Sequence, residues 1–329
     1  MEKINFNEVY QEIISERLIV VNNDAKYNQV LILGGGAGSG KGFAIKKMIN
    51  SSQYKVIDTD ELKSMLIRIS NLKDKYDSIK NLDLRKPNDV FYLHSFVEGD
   101  FDAYKNMNPD DQRAFDNDKD IISLRSDKLF KSIGSAKSGI KPNLIFDITS
   151  KNVKNIKKAI TPAIEMGYKS EDISLVWVLT NYELAIKNNA GRSRVVPHDI
   201  LLATHEGASM TITDLIGGNS SELSDINGEV YVIFNNRDFT INYEQTGNQK
   251  SDKNTTLKNF LYVKVKEKGK PFKSMDEINK DLAYKIQSLI DDANADQKKS
   301  FKDIKGKDFK YMILSNIPKT KQNQYLWNK

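Results

Sequence analysis

A three-layer α/β fold with a parallel sheet is predicted by three observations. The apolar runs at 30–33, 144–146, 175–179 and 230–234 are unbroken, helical patterns separate them, and the first run empties into a glycine loop. Strands covered on both faces read as continuous apolar segments, and parallel strands need helical crossovers, so the alternation puts the sheet between two helical layers.

Taken in order, residues 6–20 repeat Phe6, Val9, Tyr10, Ile13 and Ile14 at helical spacing and form an N-terminal packing helix within 1–26. The core spans 27–245. Its first strand, 30–33, leads into Gly35-Gly36-Ala37-Gly38-Ser39-Gly40-Lys41-Gly42, and a helix is expected over 43–49. Residues 54–57 form a strand that stops at Asp58, and Asp60 suits the N-cap of a helix carrying Leu62, Met65, Leu66 and Ile69. The polar stretch 71–135, with turns at Lys86-Pro87-Asn88 and Asn108-Pro109-Asp110, reads as a helical insert. Strand and helix then alternate again: a strand over 143–146 ending at Asp147, a helix over 153–164, a strand over 175–179 and a helix over 182–189. The basic loop Gly191-Arg192-Ser193-Arg194, a helix over 197–204 and a last strand over 230–234 complete the core.

Beyond the core, 246–297 reads as a small C-terminal module with a polar linker at 247–254, a strand at 260–265 and a helix at 275–290. Residues 298–329 form a basic tail in which Phe301, Phe309, Tyr311, Tyr325 and Trp327 stand among lysines. Such a tail can hold single-stranded nucleic acid through phosphate contacts and base stacking. The reading that fits its composition better is a solvated segment whose aromatics pack on the core.

The glycine loop carries the chemistry. Gly35, Gly40 and Lys41 stand in the G-x-x-x-x-G-K spacing of a Walker A P-loop, between a buried strand and a helix. Glycines let the backbone approach a phosphate closely, successive amide hydrogens surround the polyphosphate, and Lys41 reaches its terminal groups. Residues 35–42 are therefore expected to bind ATP in a P-loop NTPase core. Gly42 stands where a Ser or Thr would contact Mg²⁺. A lysine followed by glycine also occurs in nucleoside monophosphate kinases such as adenylate kinase, but a Thr comes next there, and here it is Phe43.

Ligands of open α/β sheets sit outside the carboxyl ends of the strands. Asp60 is expected there as the group that accepts a proton from a substrate hydroxyl. Asp147 follows an apolar strand in the manner of a residue holding Mg²⁺ through water, and Asp58 either ligates the metal or merely ends its strand. Arg192 and Arg194 are placed to close over the phosphates. His94, His198 and His205 lack metal-ligand spacing and are expected to be structural or peripheral.

Composition excludes other classes. The chain of 329 residues has no cysteine, so disulfides, zinc-thiolate sites and cysteine nucleophiles are ruled out. Its formal charge of +6 suits a polyanionic ligand but is ordinary for a lysine-rich chain. No apolar run approaches bilayer length and the N-terminus lacks a signal-like stretch, so a cytoplasmic protein with no membrane partner is expected. The richness in Asn and Lys is that of an AT-rich coding sequence, as in viral genomes acting in a host cytoplasm.

With these residues in place, residues 27–240 resemble the zeta-toxin-like and polynucleotide-kinase-like P-loop kinases. The likeness rests on the order Gly35 to Gly42, then Ile57-Asp58-Thr59-Asp60-Glu61-Leu62-Lys63, then Leu144-Ile145-Phe146-Asp147-Ile148-Thr149, then Val178-Leu179-Thr180 leading to Asn189 through Pro197. The resemblance implies that Asp60 acts on the acceptor hydroxyl. It implies that Lys63, where the family more often has arginine, binds the acceptor's phosphate, and that Arg192 and Arg194 are lid arginines. ATP and Mg²⁺ are the implied cofactors. The implied acceptor is a hydroxyl of a nucleotide, a nucleotide-sugar or a nucleic acid. The rival from another class is a nucleotide-dependent switch or nucleic-acid-stimulated NTPase that modifies no acceptor.

Overall fold

The computed structural model describes residues 19–58, 81–83, 85–86, 89, 108–110, 112–113, 140–192, 195–217, 223–236, 241–245, 255–293 and 295–322. The expected helices at 6–20 and 61–69, most of the insert at 71–135, and His94 lie outside them.

Strand β1 (Val30–Gly34) is buried along its whole length and sits in the middle of a six-stranded sheet. The other members are β2 (Tyr54–Asp58), β3 (Asn143–Asp147), β4 (Ile173–Leu179), β5 (Val230–Phe234) and β8 (Leu261–Lys266), in the order β2-β3-β1-β4-β5-β8. The first five are mutually parallel. The fold is the expected three-layer α/β core.

The period of two along each strand divides its residues between the layers. Val30, Ile32, Leu144, Phe146, Leu175, Trp177 and Val232 face one core; Leu31, Leu33, Ile145, Val176, Val178 and Ile233 face the other. Helix α1 (Lys41–Lys47) contributes Ala44 to the second core. The first core is covered by α2 (Val153–Glu165) through Ile156, Ala159, Ile160 and Ala163. It is also covered by α4 (His198–Ile216) through Ala208, Ile212 and Leu215. Helix α3 (Tyr182–Ala190) links β4 to the basic loop, capped by the Asn181 side chain, which accepts from the Glu183 N–H.

Two stretches differ from the sequence expectation. The helix expected to end at residue 204 continues to Ile216, because the polar Thr204-His205 step that interrupts the apolar pattern is buried against the glycine loop instead of facing water. Between β5 and β8 a separate antiparallel pair forms, β6 (Ile241–Gln245) with β7 (Thr255–Asn259), on either side of the polar linker.

The strand expected at 260–265 is β8, which joins the core sheet antiparallel to β5 and buries Leu261, Val263 and Val265 in the first core. Helix α5 (Met275–Asp292) packs on it through Ile278, Leu282, Ile286 and Leu289, and starts at a Ser274–Glu277 capping box. Residues of the basic segment follow. After α6 (Ala295–Ser300), the side chains of Phe301 and Ile304, and then Phe309, Met312 and Ile313 of α7 (Phe309–Leu314), enter the same core. Phe309 lies edge-on to Phe234 at 5.9 Å, and its N–H donates to Asn279 Oδ1 at 2.9 Å. Lys298, Lys302, Lys305 and Lys307 face solvent, and Tyr311 is exposed with the Lys307 ammonium 4.6 Å from its ring centroid. Tyr325 and Trp327 lie outside the described residues.

Candidate functional site

Because β1 to β5 run parallel, their carboxyl ends share one edge of the sheet. The chain leaves β1 toward β2 and β3 on one side and enters β4 and β5 on the other, so the crevice of this topology opens beside β1. There the glycine loop begins. Register places Leu33 beside Asp147 and Asp147 beside Asp58, which puts two carboxylates on adjacent strand ends next to the loop.

The loop is held by its carbonyls. Ala37 O accepts from His205 Nε2 at 2.7 Å, Gly38 O from Asn188 Nδ2 at 3.1 Å and Ser39 O from Asn235 Nδ2 at 2.8 Å. These donors come from α4, α3 and the residue after β5. The Ala37 N–H is taken by Thr204 Oγ1 at 3.1 Å, and that hydroxyl donates on to Leu201 O at 2.8 Å. Asn235 is itself fixed, since its N–H donates to Leu179 O at 2.7 Å. With carbonyls 37 to 39 tied back, the N–H groups of Gly38, Gly40, Lys41 and Gly42 donate to no acceptor among the described residues. Successive uncompensated amide hydrogens at the start of a helix make a concavity suited to an anion.

Lys41 lies across this concavity. Its ammonium donates to Gly35 O at 3.1 Å and stands 3.5 Å from Asp147 Oδ1, with both side chains mostly buried. Both contacts are the kind a phosphate can replace, since an anion offers the lysine stronger acceptors than a neutral carbonyl does. Gly42 opens onto space, with nothing within 4 Å of where a Cβ would stand, so no side chain of the loop's helix reaches toward a metal from that position. Ser39 Oγ is buried and has no hydrogen-bond partner among the described residues. No group of three or more metal-ligating side chains occurs among the described residues, but the Asp58 and Asp147 carboxylates side by side are a hard-oxygen set that fits a hydrated Mg²⁺.

The arginine loop leaves from the same place. Asn189, one residue after the Asn188 that holds Gly38, clasps Val196 through both of its backbone groups, donating to Val196 O at 2.8 Å and accepting from Val196 N at 2.9 Å. The segment bearing Arg192 is thereby closed at its base, and Arg192 itself is exposed. Asp60, Lys63 and Arg194 lie outside the described residues. Asp58 ends β2 at the carboxyl edge, two residues before Asp60.

His205, expected to be structural or peripheral, is buried directly beneath the loop. Burial pushes its imidazole down from 6.5 to about 4, the Ala37 hydrogen bond opposes that shift, and the Lys41 charge adds to it. The ring is therefore neutral near neutral pH, with its proton on Nε2, because a carbonyl can only accept. This depressed value fixes a sign. Between about 4 and 6.5 the unfolded chain takes up a proton that the folded chain refuses, so stability falls as pH falls through that window. Denaturant titrations are expected to show about 2 kcal/mol of loss from about pH 7 to about pH 5 that a His205→Gln variant does not share. An equal slope in the variant would assign the loss to other groups.

The sequence pattern gives no role to Asn188, Thr204 and Asn235, and marks His205 only as structural or peripheral. Only Asn235 carried a signal, since it stands where the last apolar strand stops.

No helix among the described residues is long and apolar enough to cross a membrane. No protein-family model matches the chain, and no curated protein matches it. Ten solved chains do. One comes from the PezAT chromosomal toxin–antitoxin system of Streptococcus pneumoniae, with 15% identity, a TM-score of 0.34, and a match covering 71% of this chain and 80% of that one. The AvrRxo1-ORF1:ORF2 complex matches in its native form at 14% identity and a TM-score of 0.35, covering 88% of this chain and 79% of that one. Its form with ATP matches at 13% and 0.37, covering 95% and 88%. Likeness this distant leaves function to be read from the chain's own residues.

Proposed function

We propose that this chain is an ATP-dependent phosphotransferase that phosphorylates a hydroxyl of a nucleotide, nucleotide-sugar or nucleic acid. The observation that carries the reading is the glycine loop itself: three consecutive carbonyls tied back by side chains, amide hydrogens left over, and a lysine paired with a strand-end aspartate.

On this reading the triphosphate of ATP lies in the concavity of residues 35–42, and Lys41 exchanges Gly35 O and Asp147 for phosphate oxygens. The acceptor hydroxyl attacks the γ-phosphorus, the bond from that phosphorus to the β–γ bridging oxygen breaks, and ADP leaves. Asp60 takes the hydroxyl proton. Lys63 binds a phosphate of the acceptor, and Arg192 and Arg194 neutralise charge that develops on the transferring oxygens. Asp58 and Asp147 would hold Mg²⁺ through water. When bound, that ion neutralises the β- and γ-oxygens.

Labelled ATP incubated with pooled nucleotide, nucleotide-sugar and oligonucleotide acceptors is expected to yield a phosphorylated product. Lys41→Ala is expected to slow transfer by a factor on the order of a thousand, and Asp60→Ala by a factor on the order of a hundred or more. Full transfer by the Asp60 variant would remove that residue from the mechanism. ATP hydrolysis with no acceptor modified would point to a switch instead.

A further inference from the structure

We propose that His205 is the positioning residue of the phosphate loop: it sets the loop in its anion-binding conformation before any nucleotide arrives. The inference rests on the nucleotide-binding reading above and adds to it the group that makes the loop competent.

One turn of α4 grips both backbone groups of a single loop residue. Thr204 accepts the Ala37 N–H, and His205, the next residue, donates to the Ala37 carbonyl at 2.7 Å, the shortest of these four side-chain tethers from Asn188, Thr204, His205 and Asn235. The imidazole also fills the space under Gly36, where an added Cβ would stand 2.7–2.8 Å from three ring atoms, so the ring and the loop backbone are in direct contact. Tyr182 braces the ring from the side, edge-on at 5.7 Å, and the same tyrosine meets His198, at the start of α4, with its hydroxyl 3.4 Å from Nε2. Tyr182 thus touches both His205, beneath the loop, and His198, where the arginine segment ends.

The physical consequence is directional. A peptide group cannot turn its carbonyl one way without turning the following N–H the other. Holding the Ala37 carbonyl toward α4 therefore turns the Gly38 N–H away from it, into the concavity. Without the donor, the Ala37–Gly38 peptide is free to rotate, and the ligand must pay the ordering cost on binding. A side chain that only fills space would keep the packing and lose this effect.

Two substitutions separate the cases. His205→Leu fills most of the volume and donates nothing, whereas His205→Gln carries an amide N–H that reaches the position of Nε2. The full chain is titrated with ATP and with inorganic tripolyphosphate, and the melting temperature without ligand is recorded for each variant. His205→Leu is expected to weaken both ligands roughly ten- to hundredfold, and His205→Gln to recover most of that loss even where the two variants melt alike. Equal affinities for the Leu and Gln variants would overturn the assignment and leave His205 as packing. If the unsubstituted protein binds neither ATP nor tripolyphosphate, the nucleotide reading itself falls, a result distinct from the first.

Discussion

Replacing Gly35 by alanine is expected to remove nucleotide binding almost entirely, while replacing Gly42 by serine leaves the fold intact. Gly35 has φ +147, and a Cβ there would stand 2.3 Å from the carbonyl oxygen of Val178. That oxygen belongs to β4, a strand buried along its length between β1 and β5, and it has no room to retreat. The loop must move instead, and the side-chain tethers on carbonyls 37 to 39 come out of register with it. Isothermal titration with ATP should show at least about a hundredfold loss, roughly 2.7 kcal/mol, and denaturant unfolding a loss of about 2–4 kcal/mol in stability. Affinity within about threefold of the parent, on the order of 0.7 kcal/mol, would mean that this turn does not shape the binding site. Gly42, with open space around its Cβ position, provides the contrast: its serine variant should melt with the parent.

A chain ending at residue 297 is expected not to fold. The lysine-rich segment reads in sequence as a solvated tail whose aromatics pack on the core, and Phe301, Ile304, Phe309, Met312 and Ile313 are all buried in the larger core. A buried Phe→Ala change costs about 3–5 kcal/mol, and whole domains are stable by only about 5–15 kcal/mol, so losing five such side chains exceeds what the fold holds in reserve. Phe309→Ala alone, which also removes the edge-on contact with Phe234, should lower the melting temperature by about 4–7 °C. A truncated chain with a cooperative melt within a few degrees of the parent would show that the segment packs without stabilising. Any test of the exposed lysines as a nucleic-acid surface therefore needs substitutions at Lys302, Lys305 and Lys307, which face solvent, and not deletion.

Much of the fold was legible because its signals are contiguous. Four unbroken apolar runs, with the segment 54–57 that Lys55 interrupts, give the five parallel strands in order, and the strand-end rule places Asp58 beside Asp147, which meets Lys41. The helix from residue 198 was read short for a physical reason. Thr204 and His205 break an apolar stripe, and nothing local shows that a polar pair can be buried against a backbone. The aromatics of the basic segment carried two readings, and exposure separated them: Phe301 and Phe309 go inward, Tyr311 outward.

The glycine loop and the sheet are written in the chain itself, since glycine spacing and apolar runs act on the backbone where they stand. What holds the loop emerges only once the chain has folded. Asn188, Thr204, His205 and Asn235 lie 150 to 196 positions from the residues they grip, each contributing one hydrogen-bonding group with no period and no neighbouring signal. A hydrogen bond is specified by where two groups meet in space, and that meeting exists only after β1, β4 and β5 have paired.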